Sequence, residues 1–423
     1  MEVRPGYKQT DIGVFPTEWD IAPLGMHATF RTGPFGSALH QSDYTIDGIP
    51  VVNPMHIVDG SIVPTRTMTI SEQAAKGLSD FRISPGEIVI GRRGDMGRCA
   101  VVQGHNAGWL CGTGSMIIRP LHVDAGFLQR VLSSPQAVSA IENSSVGTTM
   151  VNLNQATLAD LKVQFPPHPE QRAIAAALSD VDALLRGMDR LIAKKRDLKQ
   201  AAMQQLLTGR TRLPGFHGEW EVKRLGEIGT TYGGLTGKSK ADFGTGKARY
   251  VTFMNVMANT VIDHNTFDAV CVSPSENQNR VQRGDLLFNG SSETPDEVAL
   301  CSLVTQDVDN LYLNSFCFGF RPRKDPEAAS EADGLFLTYY IRSTEGREIM
   351  KSLAQGSTRY NLSKRALLAA EVRLPSLPEQ SAIAAVLSDM DAELSALEAR
   401  RAKTRVLKQA MMQELLTGRT RLV

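Results

Sequence analysis

A stretch of 45 residues occurs twice in this chain, and it constrains the fold more than any other feature. Residues 169–213 and residues 378–422 align at an offset of 209 without a gap, and 30 of the 45 positions are identical. Internal repetition of this kind sets the architecture before any local prediction is made. The chain is therefore expected to consist of two related halves.

Each copy of the repeat has the pattern of a long amphipathic helix. Apolar residues recur three and four positions apart, as they do along the seam of a coiled coil. These seam residues are Ile174, Leu178, Val181, Leu185, Met188 and Ile192 in the first copy and Ile383, Leu387, Met390, Leu394 and Leu397 in the second. Pro169 and Pro378, each followed by Glu-Gln, mark the helix starts, and Gly209 and Gly418 mark the ends.

The two helices are expected to be partners for each other. About 38 helical residues span about 57 Å. Polar residues interrupt both apolar stripes past Lys194 and Arg400, so the seam drifts there. We predict an antiparallel coiled coil; an ordinary amphipathic core helix in each half is the alternative.

Composition limits the function classes. The 423 residues are 42% hydrophobic and 22% charged, which is typical of a globular protein with two or three domains. No apolar run is long enough for a membrane span and the N-terminal residues lack a signal-peptide core, so we expect a cytoplasmic protein. Five cysteines without a CxxC pair argue against disulfides and structural zinc. Because the net charge is only +1, nucleic-acid binding would need local basic patches.

A globular segment precedes each long helix. Both segments contain short β-like runs separated by glycine and proline, and each then contains one helix, so each is expected to form an α+β domain. The predicted strand runs are 49–58, 86–94, 98–102 and 115–120 in the first segment and 249–257, 284–290, 298–304 and 311–322 in the second, with helices over 124–143 and 335–353. The predicted divisions are a lead-in 1–20, domains 21–167 and 214–376, and helical spacers 168–213 and 377–423.

The two segments share a frame but not an interior. Their ends align at the same offset of 209, as in Asn152-Leu153 and Asn361-Leu362, and Glu18-Trp19 recurs as Glu219-Trp220 in the lead-ins. Their middles do not align. This arrangement, a pseudo-twofold repeat with divergent interiors, favours two different readers on one scaffold.

The whole chain resembles the specificity subunits of type I restriction–modification systems. The resemblance is carried by YKQTDIGVFPTEW, by PPHPEQRAIAAAL and LPSLPEQSAIAAVL, by LKQAAMQQLLTGRTRL and LKQAMMQELLTGRTRL, and by GEIVIGRRGDMGRCAVV. It implies that each globular segment is a target-recognition domain reading one half of a bipartite DNA sequence. It also implies that the helices space the halves and dock modification subunits, two being expected, in a complex that methylates adenine or, with restriction subunits, translocates and cleaves DNA.

Motifs for catalysis are missing from the sequence. No Asn/Asp-Pro-Pro-aromatic loop of an adenine methyltransferase is present, since Pro166-Pro167 lies between Phe165 and His168. A phosphate-binding loop is nearly matched by residues 233–239, but Tyr232 stands where its first glycine should be. The eight histidines have no metal-ligand spacing. We therefore expect a non-catalytic chain without a metal. The resemblance implies that S-adenosylmethionine, ATP and Mg²⁺ would belong to partner subunits.

Candidate DNA contacts are basic, hydroxyl and amide side chains in glycine-rich loops, because these groups bind phosphates and base edges. They are Arg31, Phe35, Ser37, Arg92, Arg93, Arg98, Thr148 and Thr149 in the first segment and Lys238, Lys240, Lys247, Arg249, Asn289, Ser291, Ser357, Thr358 and Arg359 in the second. A solvated surface charge is the alternative for each basic residue. The second segment has NGSSETPDEVALCSLV where the first has GRRGDMGRCAVV, so the role of Arg92 and Arg93 does not transfer to it.

Geometry favours a bipartite DNA site. Domains at the two ends of a rod of about 57 Å can reach successive major grooves, which are about 34–36 Å apart. The predicted site has two different short halves around an unspecified gap. Arg172, Arg190, Lys194 and Arg400 mark the helix faces predicted to dock partner subunits. The alternatives are the recognition part of a methyltransferase–endonuclease and a coiled-coil scaffold that does not read sequence.

Overall fold

The chain divides into two compact units that are interleaved along the sequence. The computed structural model describes residues 4–34, 38–144, 152–323 and 332–422. Unit 1 comprises Met1–Asp189 and Arg400–Val423, and unit 2 comprises Arg190–Ala399. Each long helix therefore contributes one half to each unit.

Unit 1 is a mixed α and β unit of short elements. Its strands are β1 Tyr7–Thr10, β2 Gly13–Pro16, β3 Asp20–Pro23, β4 Ala28–Thr32, β5 Tyr44–Thr45, β6 Ile49–Val52, β7 Ile57–Val58, β8 Ser61–Ile62, β9 Thr69–Ile70, β10 Ile88–Gly91, β11 Cys99–Val101, β12 Leu110–Cys111, β13 Ser115–Pro120 and β14 Lys162–Phe165. Its helices are α1 Glu72–Lys76, α2 Ala125–Leu132, α3 Pro135–Ser144, α4 Gln155–Asp160 and the first part of α5 His168–Leu206.

Unit 2 repeats much of this order and has one long strand of nine residues, Phe243–Val251. Its strands are β15 Glu221–Arg224, β16 Gly229–Gly233, β17 Phe243–Val251, β18 Asp268–Val270, β19 Leu286–Asn289, β20 Ser291–Ser292, β21 Cys301–Leu303, β22 Leu311–Leu313, β23 Cys317–Pro322, β24 Tyr360–Asn361 and β25 Glu371–Leu374. Its helices are α6 Leu225–Ile228, α7 Phe253–Ala258, α8 Gly334–Arg342, α9 Thr344–Leu353, α10 Lys364–Ala369 and the first part of α11 Leu377–Leu416.

The main sheet has the same topology in both units. Its strand order is β11-β10-β13-β4 in unit 1 and β21-β19-β23-β16 in unit 2, antiparallel throughout. A second sheet contains one parallel pair in each unit, β12 with β6 and β22 with β17. A third pairing joins β3 to β14 and β15 to β25, and so brings the start of each globular segment to its end.

Several predicted boundaries were wrong for identifiable reasons. The helix predicted over 124–143 is two helices, α2 and α3, because the chain bends at Ser133-Ser134 before Pro135. The helix predicted over 335–353 is likewise split, at Ser343, whose side chain caps α9 through the amide of Gly346. The run 249–257 is a strand only as far as Val251; Thr252 then caps helix α7.

The long helices have the predicted extents and pair antiparallel in each unit. In unit 1, Asp182 of α5 contacts Lys408 of α11 at 2.6 Å, and Asp189 contacts Arg401. Partner numbers thus fall along one helix as they rise along the other. In unit 2 the same order holds for Lys195–Glu393 at 2.7 Å and Lys199–Asp391 at 2.5 Å. Arg196, beside Lys195, also reaches Glu398 at 2.5 Å.

The helix ends are built into the hydrophobic cores. In unit 1, Ile174 and Leu178 of α5 and Leu415 and Leu416 of α11 pack in one cluster with Trp19. In unit 2, Ile383 and Leu387 pack with Leu206 and Leu207 in the corresponding cluster. No helix in the described part of the chain is long and apolar enough to cross a membrane.

Candidate nucleic-acid interface

Three backbone segments meet at the end of the main sheet of unit 1. The amide of Arg92 donates to the carbonyl of Gly114 at 2.9 Å, and the amide of Leu153 donates to the carbonyl of Arg92 at 2.9 Å. The Arg92 side chain adds a further hydrogen bond to this contact, because its Nε donates to the carbonyl of Leu153 at 2.9 Å. Burial lowers the pKa of Arg92. We call Arg92, Gly114 and Leu153 the three-strand junction of unit 1.

Unit 2 has the same junction with different side chains. The amide of Gly290 donates to the carbonyl of Phe316 at 3.0 Å, and the amide of Leu362 donates to the carbonyl of Gly290 at 3.0 Å. Gly290, Phe316 and Leu362 thus take the places of Arg92, Gly114 and Leu153. A Cβ on Gly290 would lie 3.1 Å from the Phe316 carbonyl oxygen, a tight contact. The backbone hydrogen bonds are the same in both units. The large side chain is Arg92, after β10, in unit 1 and Phe316, before β23, in unit 2.

Among the described residues, the predicted DNA contacts of unit 1 lie in different environments: some are ion-paired, one is exposed without an ion pair and one belongs to the junction. Arg31 lies on β4, donates to Asp80 at 2.6 Å and covers the Phe81 ring. Arg93 is exposed, and Arg98 is exposed and paired with Asp95. Arg92 braces the junction. Phe35, Ser37, Thr148 and Thr149 lie outside the described residues.

The predicted basic loop of unit 2 contains one buried, ion-paired lysine and three exposed cations. The Lys238 side chain is only 4% exposed and lies 2.6 Å from Glu276, whose pKa it holds at about 2. Lys240, Lys247 and Arg249 are exposed. Because a phosphate cannot reach a side chain that is internal and already paired, we leave Lys238 out of the proposed contact surface.

The remaining candidates surround the junction of unit 2. Asn289 is fully buried, and its Nδ2 donates to the carbonyl of Glu297 at 2.9 Å, so it shapes the loop from inside. Ser291 is buried in β20, which pairs with β24. Ser357, Thr358 and Arg359 precede β24 and are exposed. The β20–β24 pairing therefore brings an exposed Ser-Thr-Arg turn to the junction.

Sequence reasoning missed an exposed aromatic residue at the same place. Phe316 is 63% exposed, and the Arg359 guanidinium lies 5.9 Å from its ring centroid. The signal available in the sequence was Asn314-Ser315, which interrupts the apolar run 311–322 and ends β22. That run was predicted as one strand, and within a continuous strand Phe316 would have been assigned to the core.

Each unit is closed by a tryptophan–glutamate–arginine lock, another feature that the sequence did not reveal. In unit 1, Trp19 Nε1 donates to Glu170 at 3.0 Å, and Arg421 donates to both Glu170 oxygens at 2.5 and 2.8 Å. Glu170 is fully buried. The lock joins the start of α5 to the segment after α11.

The lock of unit 2 uses the repeat-related residues. Arg212 donates to both oxygens of Glu379 at 2.5 Å, and its guanidinium lies 5.8 Å from the Trp220 ring centroid. Glu379 is also fully buried. Trp220 Nε1, however, is buried without a hydrogen-bond partner. The second lock therefore has one hydrogen bond fewer.

The predicted seam residues fall on the inner face of the helices. The buried members are Ile174, Leu178, Leu185, Met188, Ile192, Ile383, Leu387 and Leu394. Val181, Met390 and Leu397 are half-buried. The docking candidates Arg172, Arg190, Lys194 and Arg400 are exposed.

The described residues contain no group of three or more His, Cys, Asp or Glu side chains that could hold a metal ion. Burial raises the pKa of Cys99 and Cys317 to about 12, so these thiols are apolar core residues. The described residues offer exposed cations in both units and, in unit 2, exposed serine and threonine residues and an aromatic ring. This chemistry can bind phosphates and base edges.

Two α+β units of one topology, each with exposed cations and each containing part of both long helices, define a class of two-unit candidate nucleic-acid-recognition protein. The family model for the type I restriction modification DNA specificity domain matches the chain twice, over residues 20–194 and 217–407. The chain belongs to this family. Its members are the non-catalytic DNA-recognition subunits of type I restriction–modification systems.

Curated relatives span most of the chain. The type I restriction enzyme EcoKI specificity subunit of Escherichia coli K12 is 23% identical over 88% of this chain and 82% of its own length. The MjaVIII specificity subunit of Methanocaldococcus jannaschii is 24% identical over 67% of this chain and 68% of its own length. The solved S subunit from M. genitalium has a TM-score of 0.58 at 17% identity and covers 98% of both chains, so it supports the fold.

Proposed function

We propose that each unit reads one half of a bipartite, asymmetric DNA sequence, and that α5 and α11 set the gap between the halves. The observation that carries this proposal is the junction: one backbone arrangement occurs twice with different side chains. Identical frames suit the same task, and different side chains at the surface suit different base sequences. The domain divisions at 20, 167, 213 and 376 remain part of the proposal.

Exchange of one globular segment tests the two-reader proposal. Residues 25–150 are replaced by those of a family member with a different specificity, and the chain is produced with its modification subunits. Methylation sequencing should then show one altered half-site and one unchanged half-site. The matched control exchanges the corresponding segment of unit 2, which should alter the other half. If either exchange alters both halves, the proposal fails.

The gap proposal has its own test. Four residues inserted into both helices, after Gly187 and after the repeat-related Ala396, lengthen each by about 5.4–6 Å. We expect the unspecified gap to grow by one or two base pairs, because base pairs rise about 3.4 Å. A four-residue insertion between Gly104 and His105, in an exposed turn, should leave the gap unchanged. An unchanged gap after the helix insertions would contradict the proposal.

We also propose that the outer faces of the helices dock modification subunits, two per chain. Besides the exposed cations, α5 exposes Leu184, Leu191 and Leu198 at 48, 42 and 47%, spaced by seven residues. Such a stripe resembles an unpaired coiled-coil seam. Leu191→Ser with Leu198→Ser should reduce co-purification of modification subunits, whereas Val58→Ser with Val63→Ser, a control pair of exposed valines in unit 1, should not. Retained co-purification of the leucine variant would count against the stripe.

A cytoplasmic location remains part of this proposal. The alternatives of a complete enzyme and of a scaffold without readout are not favoured, because the family is one of recognition subunits. A shift assay with random and site-bearing DNA over a range of salt concentrations separates readout from scaffolding. Specific binding persists at salt concentrations where phosphate binding alone is lost.

A further inference from the structure

We propose that Phe316, supported by Arg359, is a sequence-reading contact of unit 2 that recognises the methyl group of a thymine. This inference rests on the proposed function and names a residue and a base group for one of its two readers. It is carried by the exposure of the ring, its rigid mounting, its cationic neighbour and the comparison with unit 1.

The exposure of Phe316 is selective. Among the described residues of 214–376, three large hydrophobic side chains are exposed: Val222, Met254 and Phe316. Two of them lie at the same edge of the unit, because the Asn314 amide donates to the Val251 carbonyl at 3.1 Å and so holds the start of α7 beside the junction. Apolar side chains exposed at one edge of a domain provide surface that a partner can bury with a gain in free energy.

The ring is mounted on fixed backbone. The Phe316 amide donates to Asn314 Oδ1 at 2.9 Å, its carbonyl accepts from Gly290, and β23 begins at the next residue. The Cα position is therefore held from both sides by hydrogen bonds. A preorganised contact loses little conformational entropy on binding, which favours recognition.

The neighbours of the ring suit DNA. Arg359 places a positive charge against one side of the ring, and the exposed hydroxyls of Ser357 and Thr358 lie in the same turn. These groups can bind phosphates and position the reader without specifying a sequence. The aromatic ring is the group left to discriminate bases. On the base edges of the major groove, the apolar feature is the thymine methyl group, which phenylalanine contacts.

Unit 1 shows that this position is variable while its frame is constant. Gly114 stands where Phe316 stands, and Arg92 stands where Gly290 stands, although the hydrogen bonds of the junction are the same. A side chain that changes while its backbone does not is what a specificity determinant requires.

The test uses the complex of the full-length chain with its modification subunits and a duplex containing the site mapped by methylation sequencing. In the half assigned to unit 2 by segment exchange, each thymine is replaced in turn by deoxyuridine, which lacks only the methyl group. For the unaltered chain, one replacement should weaken binding about fourfold, the affinity equivalent of one buried carbon group. The Phe316→Ala complex should bind the thymine duplex about fourfold more weakly and show no further loss with that replacement.

Matched variants separate recognition from folding. Phe316→Leu keeps an apolar side chain and should remain sensitive to the same thymine. Val222→Ala removes an exposed apolar side chain on β15 of the same unit and should leave affinity unchanged. Replacements in the half assigned to unit 1 should affect the Phe316→Ala and unaltered complexes equally.

Two failures can be distinguished. If Phe316→Ala binds as tightly as the unaltered chain, or remains equally sensitive to every thymine replacement, the inference about Phe316 is overturned while the two-reader proposal stands. If the unaltered complex does not discriminate the mapped site from random DNA, the proposed function itself fails.

Discussion

The two units differ most where their shared frame meets the surface. Both have the same main-sheet order, the same closing strand pair and the same three-strand junction. Yet unit 1 fills the junction with Arg92, whereas unit 2 leaves glycine there and presents Phe316 from a neighbouring strand. Backbone hydrogen bonds therefore preserve the scaffold, so that side chains at its edge can change without loss of the fold.

The two units also differ in the ion pairs formed between the long helices. In unit 1, Asp182 contacts both Arg130 and Lys408 at 2.6 Å. In unit 2 the repeat-related Asp391 contacts Lys199 at 2.5 Å, and its other partner is the hydroxyl of Tyr339 at 2.7 Å. One acidic residue thus neutralises two cations in unit 1 and only one in unit 2.

The largest predicted effect concerns the two locks. Arg212→Ala should destabilise unit 2 by about 4 kcal/mol and Arg421→Ala should destabilise unit 1 by about 3 kcal/mol, because each leaves a buried carboxylate without its cation. Glu170 would retain the hydrogen bond from Trp19, which has no counterpart at Glu379. Denaturant unfolding followed by hydrogen exchange would assign each loss to a unit. A larger loss for Arg421→Ala would contradict this ranking.

A somewhat smaller difference is expected inside the helix pair. Asp182→Ala should cost about 3 kcal/mol, because the Arg130 side chain is only 11% exposed and would lose its partner. Asp391→Ala should cost about 1 kcal/mol, because that carboxylate is 34% exposed and pairs with one cation. Urea unfolding midpoints of the two variants would measure the difference. Equal losses would show that the third partner, arginine or tyrosine, is unimportant.

The helix caps should behave alike and so confirm the shared frame. Asp124 accepts from the amide of Phe127, and Asp333 accepts from that of Phe336, both at 2.9 Å. Replacement of either aspartate by alanine should cost about 1 kcal/mol. Thermal unfolding of the single variants would test this. Losses that differ by more than about 1 kcal/mol would indicate that the frames are not equivalent.

The smallest effect concerns two neighbouring lysines. Lys240→Ala should lower the slope of log affinity against log salt by about 0.9, the value for one lost phosphate contact. Lys238→Ala should leave that slope unchanged, because Lys238 is internal and paired with Glu276. DNA binding measured at several salt concentrations would provide both slopes. A lower slope for Lys238→Ala would return that residue to the contact surface.

Much of the architecture could be predicted because repetition and helical periodicity are strong local signals. The helix pair followed from the apolar spacing and from the two copies, and the antiparallel orientation was predicted correctly although the spacing does not determine it. The break at Ser133-Ser134 and the turn at Asn314-Ser315 were not found, because short polar pairs in apolar runs do not determine a boundary by themselves. Each ion pair between the helices uses one residue from the part where polar residues interrupt the apolar stripe. Ion pairs there replace part of the hydrophobic packing.

The candidate interface could be predicted only in part. Glycine-rich loops with basic residues mark a surface, but composition does not reveal which cations are paired. Lys238 and Lys240 are two residues apart, yet one is internal and the other exposed. Phe316 and the locks depend on contacts between residues distant in sequence, such as Glu170 with Arg421, and no local pattern contains that information.

The lock of unit 1 has a consequence for the order of folding during synthesis. Unit 2 is continuous in sequence, from residue 190 to residue 399, whereas unit 1 needs residues 400–422 to cover Trp19 and pair with Glu170. A ribosome therefore releases all parts of unit 2 before unit 1 can close. Unit 1, whose synthesis begins first, is therefore completed last. Until residues 400–422 emerge, Trp19 stays partly uncovered and the Glu170 carboxylate has no arginine partner.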